Sequence, residues 1–172
     1  ILLASICCWG IEQTLKRLNG MFAFALWDTV EKTLLLARDR MGEKPLYYGS
    51  SGDTFLFGSE LKALSAHPNW CGEVDRDALA LYMRHNYVPT PWSIYKGIYK
   101  LQPAHFVVIK ENGRVVSEPK CYWDLAKIAE QGSTLPLGGV EQLTDELDEL
   151  LRDAVKRRMM ADVPLGALLS GG

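Results

Sequence analysis

The side chains able to do chemistry lie in a few places. Arg38, Asp39, Arg40, Glu43 and Lys44 crowd one short stretch and would suit a phosphate or an ionic substrate. Charges drawn out of water also need partners of their own, and the structural reading is the one we expect: an ion-pair network where a hairpin meets a second domain. Glu60 and Lys62 belong to that interface or to a solvated face. His67, His85 and His105 share no ligand spacing, so no metal site is expected. Cys7 and Cys8 are adjacent, Cys71 and Cys121 stand alone, and no C-x-x-C spacing exists. The four thiols therefore make neither a zinc site nor a disulfide scaffold, and they are expected to fill core space in a reducing cytoplasm. Trp9, Trp27, Trp70, Trp92 and Trp123 form no stripe and are assigned to cores and interfaces. Lys156-Arg157-Arg158 reads as the solvated end of a helix, with phosphate contact a minor alternative. Ser170-Gly171-Gly172, following an apolar run, is the segment where function is favoured over structure. Such a turn is a weak signal taken alone.

The elements that must position these residues follow from periodicity. Residues 1–18 read as a helix carrying Leu2, Leu3, Ile6, Leu15 and Leu18, stopped by Asn19-Gly20. Residues 21–28 and 33–39 read as a hairpin around a polar turn at 29–32. Its first strand places Phe22, Phe24 and Leu26 on one face and Ala23, Ala25 and Trp27 on the other, a pattern that predicts burial on both sides. A second hairpin joins 45–48 to 54–57, and Ser59 is the expected N-cap of a short helix after it. Asp75 to Asn86 is a helix presenting Leu79, Tyr82 and Met83 on one face, ended by Val88-Pro89-Thr90-Pro91. Asn112-Gly113 turns a strand at 105–110 into one at 114–116. Sparse apolar residues and glycines make 127–140 the best linker candidate. Thr144 to Met160 is a helix striped with Leu147, Leu150, Leu151, Ala154 and Val155. Val163 to Leu169 reads as a buried strand.

Composition bounds the function classes. The chain has 172 residues, 48% apolar and 23% charged, close to the average for globular domains and far from disordered or fibrous sequences. With 19 basic against 21 acidic residues the net charge is −2, which argues against a basic nucleic-acid binder or a polybasic membrane-surface protein. No apolar run approaches the length of a bilayer span. Neither end has the punctuation of a finished domain: Ile1 opens into an apolar stretch without a cap, and the chain stops on the turn after its last predicted strand. We read it as an internal fragment.

Four segments carry a resemblance. Residues 18–28 (Leu-Asn-Gly-Met-Phe-Ala-Phe-Ala-Leu-Trp-Asp), 36–48 (Leu-Ala-Arg-Asp-Arg-Met-Gly-Glu-Lys-Pro-Leu-Tyr-Tyr) and 57–64 (Phe-Gly-Ser-Glu-Leu-Lys-Ala-Leu) resemble the later half of a class II glutamine amidotransferase domain. Among such domains they are most similar to the glutamine-hydrolysing asparagine synthetases. Residues 163–172 (Val-Pro-Leu-Gly-Ala-Leu-Leu-Ser-Gly-Gly) resemble the strand and first half of that family's pyrophosphate loop. The Tyr122-Trp123 segment, the linker and the basic-ended helix fall in the family's order. The resemblance implies an α+β to α/β fold: a partial Ntn-type α-β-β-α glutaminase sandwich over 1–123, a linker over 124–140, and the first helix and strand of an adenine-nucleotide α-hydrolase-like (PP-loop) domain over 141–172.

The activity so implied is ATP-dependent conversion of aspartate to asparagine with glutamine-derived ammonia, through an aspartyl-adenylate. Leu168, Ser170, Gly171 and Gly172 would bind ATP, glycine backbone approaching phosphate oxygens without side-chain obstruction, and Mg²⁺ would bridge the phosphates. Glutamine, aspartate and ATP are the implied small-molecule partners, with no nucleic acid and no membrane; a homodimer is compatible with this, and the location is cytoplasmic. The family's nucleophile is an N-terminal Cys assisted by its own amine. Position 1 is Ile and Cys7-Cys8 sits within an apolar helix, so no catalytic residue is transferred, and no metal ligand. Three alternatives stay open: a β-lactam synthetase-like enzyme, a polysaccharide-modifying amidotransferase, and a non-catalytic amidotransferase-like scaffold. The chain alone is expected to be inactive; glutamate release from glutamine by the purified 172-residue polypeptide would refute this.

Overall fold

The computed structural model describes residues 1–110, 118–133, 138–168 and 171. They form two compact units, Ile1–Asp124 and Leu125–Gly172.

In the first unit β1 (Ala23–Asp28) and β2 (Thr33–Arg38) make the expected hairpin, and β2 pairs in turn with β6 (His105–Lys110), which pairs with the short β7 (Lys120–Cys121). All these pairings are antiparallel. A second sheet is built from β3 (Tyr47–Ser51), β4 (Thr54–Gly58) and β5 (Ile98–Lys100), with β3 in the centre. Alternation along the strands assigns their faces. Leu36, Val107 and Ile109 from the first sheet meet Leu46, Tyr48 and Leu101 from the second in one core. The opposite face of the first sheet, with Leu35, Ala37 and Phe106, packs on Leu15 of helix α1 (Leu2–Arg17). The opposite face of the second sheet contributes Leu56 and Ile98 to a third core with Leu64 of α2 (Leu61–Ser65).

Several expectations change. Helix α1 breaks at Gly10, whose φ of 73° and ψ of 168° are not helical, so Leu15 is fully buried beyond the kink while Leu3 before it is exposed. All four cysteines are exposed rather than in cores: two ride the outer part of α1, Cys71 is in a loop, and Cys121 lies on the edge strand β7. The faces assigned to β1 hold, since Phe22, Phe24 and Leu26 turn toward Leu15 and Ala23 toward the inter-sheet core. Burial on both sides belongs to β2 instead: β1 is the last strand of its sheet among the described residues, and Trp27 is 42% exposed. Trp9 and Trp92 are exposed as well, outside any core. Glu60, not Ser59, is the N-cap of α2, and without a side-chain hydrogen bond.

Helix α3 (Arg76–His85) is capped by Asp75, whose Oδ1 accepts from the backbone N–H of Asp77 and Ala78. The helix seats on Ala78, 2% exposed, while Leu79, Tyr82 and Met83 remain exposed; a small side chain allows close approach where larger ones would hold the helix away. Residues 114–116, read as a strand, lie outside the described residues.

The second unit holds α4 (Leu125–Ser133), a helix inside the stretch read as a linker, and α5 (Val140–Arg158), with no buried residue in either. Ion pairs at i,i+4 spacing, Asp148–Arg152 and Asp153–Arg157, line α5. Val163 to Leu168 is not a buried strand: it carries no regular structure and is exposed. A strand exists through hydrogen bonds to a neighbour, and among the described residues this segment pairs with none.

The second sheet closes through a near contact of backbones. Gly49 has φ 152°, and a Cβ there would lie 1.9 Å from the Gly97 carbonyl oxygen, beside the bond in which Ser50 N–H donates to that oxygen at 3.0 Å. Gly49→Ala should lower unfolding free energy by about 3 kcal/mol or more, read by denaturant titration; wild-type stability in that variant would contradict the pairing of β3 with β5.

Candidate functional site

The charged stretch at the end of β2 is densely hydrogen-bonded. Asp39 is 1% exposed. Its Oδ2 accepts from the backbone N–H of Phe22 (3.2 Å) and Lys44 (3.0 Å), and its Oδ1 from Met41 (3.2 Å) and Glu43 (2.9 Å). Burial pushes this carboxyl upward, but hydrogen bonds from Lys44, Glu43, Phe22 and Gly42 outweigh it and hold it below the usual range. Arg38 turns the other way. Its guanidinium donates to the carbonyls of Lys44 (2.8 Å), Leu101 (2.7 Å) and Gly42 (2.6 Å), and burial lowers its pKa against the pull of Asp39. Tyr122 donates its hydroxyl to the Arg38 carbonyl at 2.8 Å, and burial followed by the Asp39 charge raises its pKa. Arg40 donates to the Lys16 carbonyl at 2.7 Å and lies 5.5 Å from the Trp123 ring centroid.

These contacts revise the expected ion-pair network. Arg38 and Asp39 are satisfied by backbone groups inside the first unit, so they organise the chain rather than bind substrate. Glu60 and Lys62 form a 2.7 Å pair with both side chains largely in solvent, the solvated face of the two readings.

Of the predicted ATP-binding residues, Leu168 is fully exposed and Gly171 has no heavy atom near a would-be Cβ, while Ser170 and Gly172 lie outside the described residues. Just before Leu168, Leu165 and Ala167 face Val155 and Met159 of α5 across an apolar hollow of about 560 Å³. No group of three or more His, Cys, Asp and Glu among the described residues is placed to hold a metal ion.

Sequence reasoning missed Lys100. It ends β5, borders a cavity of about 530 Å³ with Tyr47, Leu79 and Tyr82, and donates through Nζ to the Val88 carbonyl. A single lysine in a loop-rich stretch gives no periodic signal. Tyr122 was legible only as a segment; its bond to Arg38 spans 84 positions.

Residues 1–123 match the glutamine amidotransferase domain family, and the chain belongs to that family. Residues 146–172 match the asparagine synthase family. The chain is 37% identical to glutamine-hydrolyzing asparagine synthetase 3 of Bacillus subtilis, an alignment covering 100% of this chain and 26% of that protein. Against asparagine synthetase 1 of the same organism the identity is 34%, over 94% of this chain and 24% of the relative. Amidase chry2 of Gibberella zeae is 34% identical over 92% of this chain and 22% of its own length. The chain thus spans about a quarter of these relatives.

Asp39 dictates a pH dependence. A carboxyl whose folded pKa is depressed adds stability that is present above its unfolded value, near about 4, and is lost as pH falls through the lower folded value. Asp39→Asn should cost about 2–3 kcal/mol at neutral pH and flatten the acid limb of the stability profile. Unfolding curves from neutral pH down through the acid range below about pH 4 test this; an unchanged acid limb would remove Asp39 from the account.

Proposed function

We propose that the chain is part of a glutamine-hydrolysing asparagine synthetase, joining the glutaminase half to the start of the ATP-dependent half. One observation carries this reading: a glutamine amidotransferase match over 1–123 is followed in the same polypeptide by an asparagine synthase match over 146–172. In the reaction the side-chain carboxylate of aspartate attacks the α-phosphorus of ATP and expels pyrophosphate. Ammonia from glutamine then attacks the acyl carbon of the aspartyl-adenylate, releasing AMP and a proton and leaving asparagine.

Within that reading, 1–123 is the later part of an Ntn-type glutaminase sandwich, 124–140 a linker and 141–172 the start of a PP-loop domain. The layering of α1, two antiparallel sheets and α2 supports the first assignment. Leu168, Ser170, Gly171 and Gly172 are the proposed ATP contacts, with unobstructed backbone at Gly171 in their favour. Mg²⁺ would arrive on the ATP phosphates, and no step is assigned to it. Glutamine and aspartate are the remaining substrates, and a homodimer and a cytoplasmic location complete the proposal. No helix among the described residues is long and apolar enough to cross a membrane. The amidases chry2 and chyE, 34% and 33% identical, favour a second reading in which the parent amidates a different acceptor.

The full-length parent supplied with glutamine, aspartate, ATP and Mg²⁺ should yield glutamate, asparagine, AMP and pyrophosphate in equal amounts. Glutamate release without asparagine, together with amidation of another acceptor, would select the second reading. Gly171→Ala in the same protein should lower kcat/KM for ATP by roughly tenfold or more while leaving glutamate release intact. Equal loss of both activities would count against an ATP contact there.

A further inference from the structure

The cavity beside Lys100 is built differently from the rest of the first unit. Lys100 stands opposite Tyr47 in the β5–β3 register, so the two side chains share the outer face of the second sheet, the face that also carries Ile98. Leu61, Leu79, Tyr82 and Ile94 complete most of an apolar wall around about 530 Å³, within the roughly 300–1,000 Å³ usual for small-molecule sites. Lys100 is half-buried, and its ammonium gives one of its three N–H donors to the Val88 carbonyl. Among the described residues no carboxylate pairs with it. Burial lowers the Lys100 pKa, and the like charge of the Arg38 guanidinium adds to that effect. Half-buried charge normally meets its opposite; here, among the described residues, an ammonium with no carboxylate beside it borders an apolar hollow.

We infer that this cavity is a binding site for a small carboxylate with an apolar or aromatic body, the acid group meeting Lys100 and the body lying among Tyr47, Leu79 and Tyr82. Charge complementarity selects the ligand class: a neutral apolar molecule would leave the ammonium desolvated, and an anion without an apolar body would leave the walls wet. The site shares no residue with the proposed ATP contacts and does not depend on the proposed reaction.

Phenylacetate is the probe, with phenylacetamide as its neutral near-isostere, titrated calorimetrically into the full-length parent. Phenylacetate should bind saturably, at least about tenfold tighter than phenylacetamide, and saturating ATP and glutamine should not displace it. Lys100→Met should abolish the preference for the acid and Lys100→Arg should retain it. Should Lys100→Met fail to fold, the acid-to-amide ratio on the unaltered protein decides alone. Equal affinity for the two probes, no saturable binding, displacement by ATP or glutamine, or undiminished preference in Lys100→Met would each overturn the inference.

Discussion

A carboxylate that has left water must be held by something of comparable strength, and in this chain Asp39 is held by backbone. Four amide N–H groups, from Phe22, Met41, Glu43 and Lys44, converge on its two oxygens. The main chain of the same residue donates to the Phe22 carbonyl and accepts from the amides of Gly42 and Ala104. One residue thereby ties the entry to β1, the exit from β2, the loop toward β3 and the entry to β6. Arg38 extends the arrangement, because its side chain collects carbonyls from that loop and from Leu101. Donor and acceptor sides of one irregular segment are satisfied by adjacent residues of opposite charge. Hydrogen bonds to ionised groups are the stronger kind, which is why a loop without regular structure can fix the relation of two sheets.

That constraint also explains why Arg38 and Asp39 are spent on structure rather than left for a substrate. An ionic site needs unspent hydrogen-bonding capacity facing a cavity. Asp39 has none facing solvent at 1% exposure, and the guanidinium of Arg38 is committed to three carbonyls. Lys100 presents the opposite case, with one recorded acceptor and a hollow in front of it. Dense charge in a sequence and available charge in a fold are different quantities.

The two units differ in what stabilises them. The first buries side chains in three cores, arranged by strand alternation into layers. In the second, α4 and α5 bury no residue, and solvent-exposed ion pairs of the kind on α5 add little. Leu147, Leu150, Leu151 and Val155 form the apolar stripe read from the sequence, yet all four are exposed. Periodicity correctly gives the helix and its apolar face; it does not say what covers that face.

The same division runs through the whole chain. Hairpin positions, the two faces of β1 and the helix beginning at Asp75 were legible because each depends on neighbours a few positions apart: strand alternation, turn residues, helical periodicity. The Gly10 kink, the exposure of all four cysteines, the seating of α3 on Ala78, the loss of a strand at 163–168 and the spending of Arg38 and Asp39 on backbone were not. Each of these depends on groups distant in sequence, as Tyr122 does when its hydroxyl reaches Arg38. Local pattern fixes which elements form and which face is apolar; whether a face is covered, a charge is answered or a strand finds its neighbour is decided only when remote segments meet.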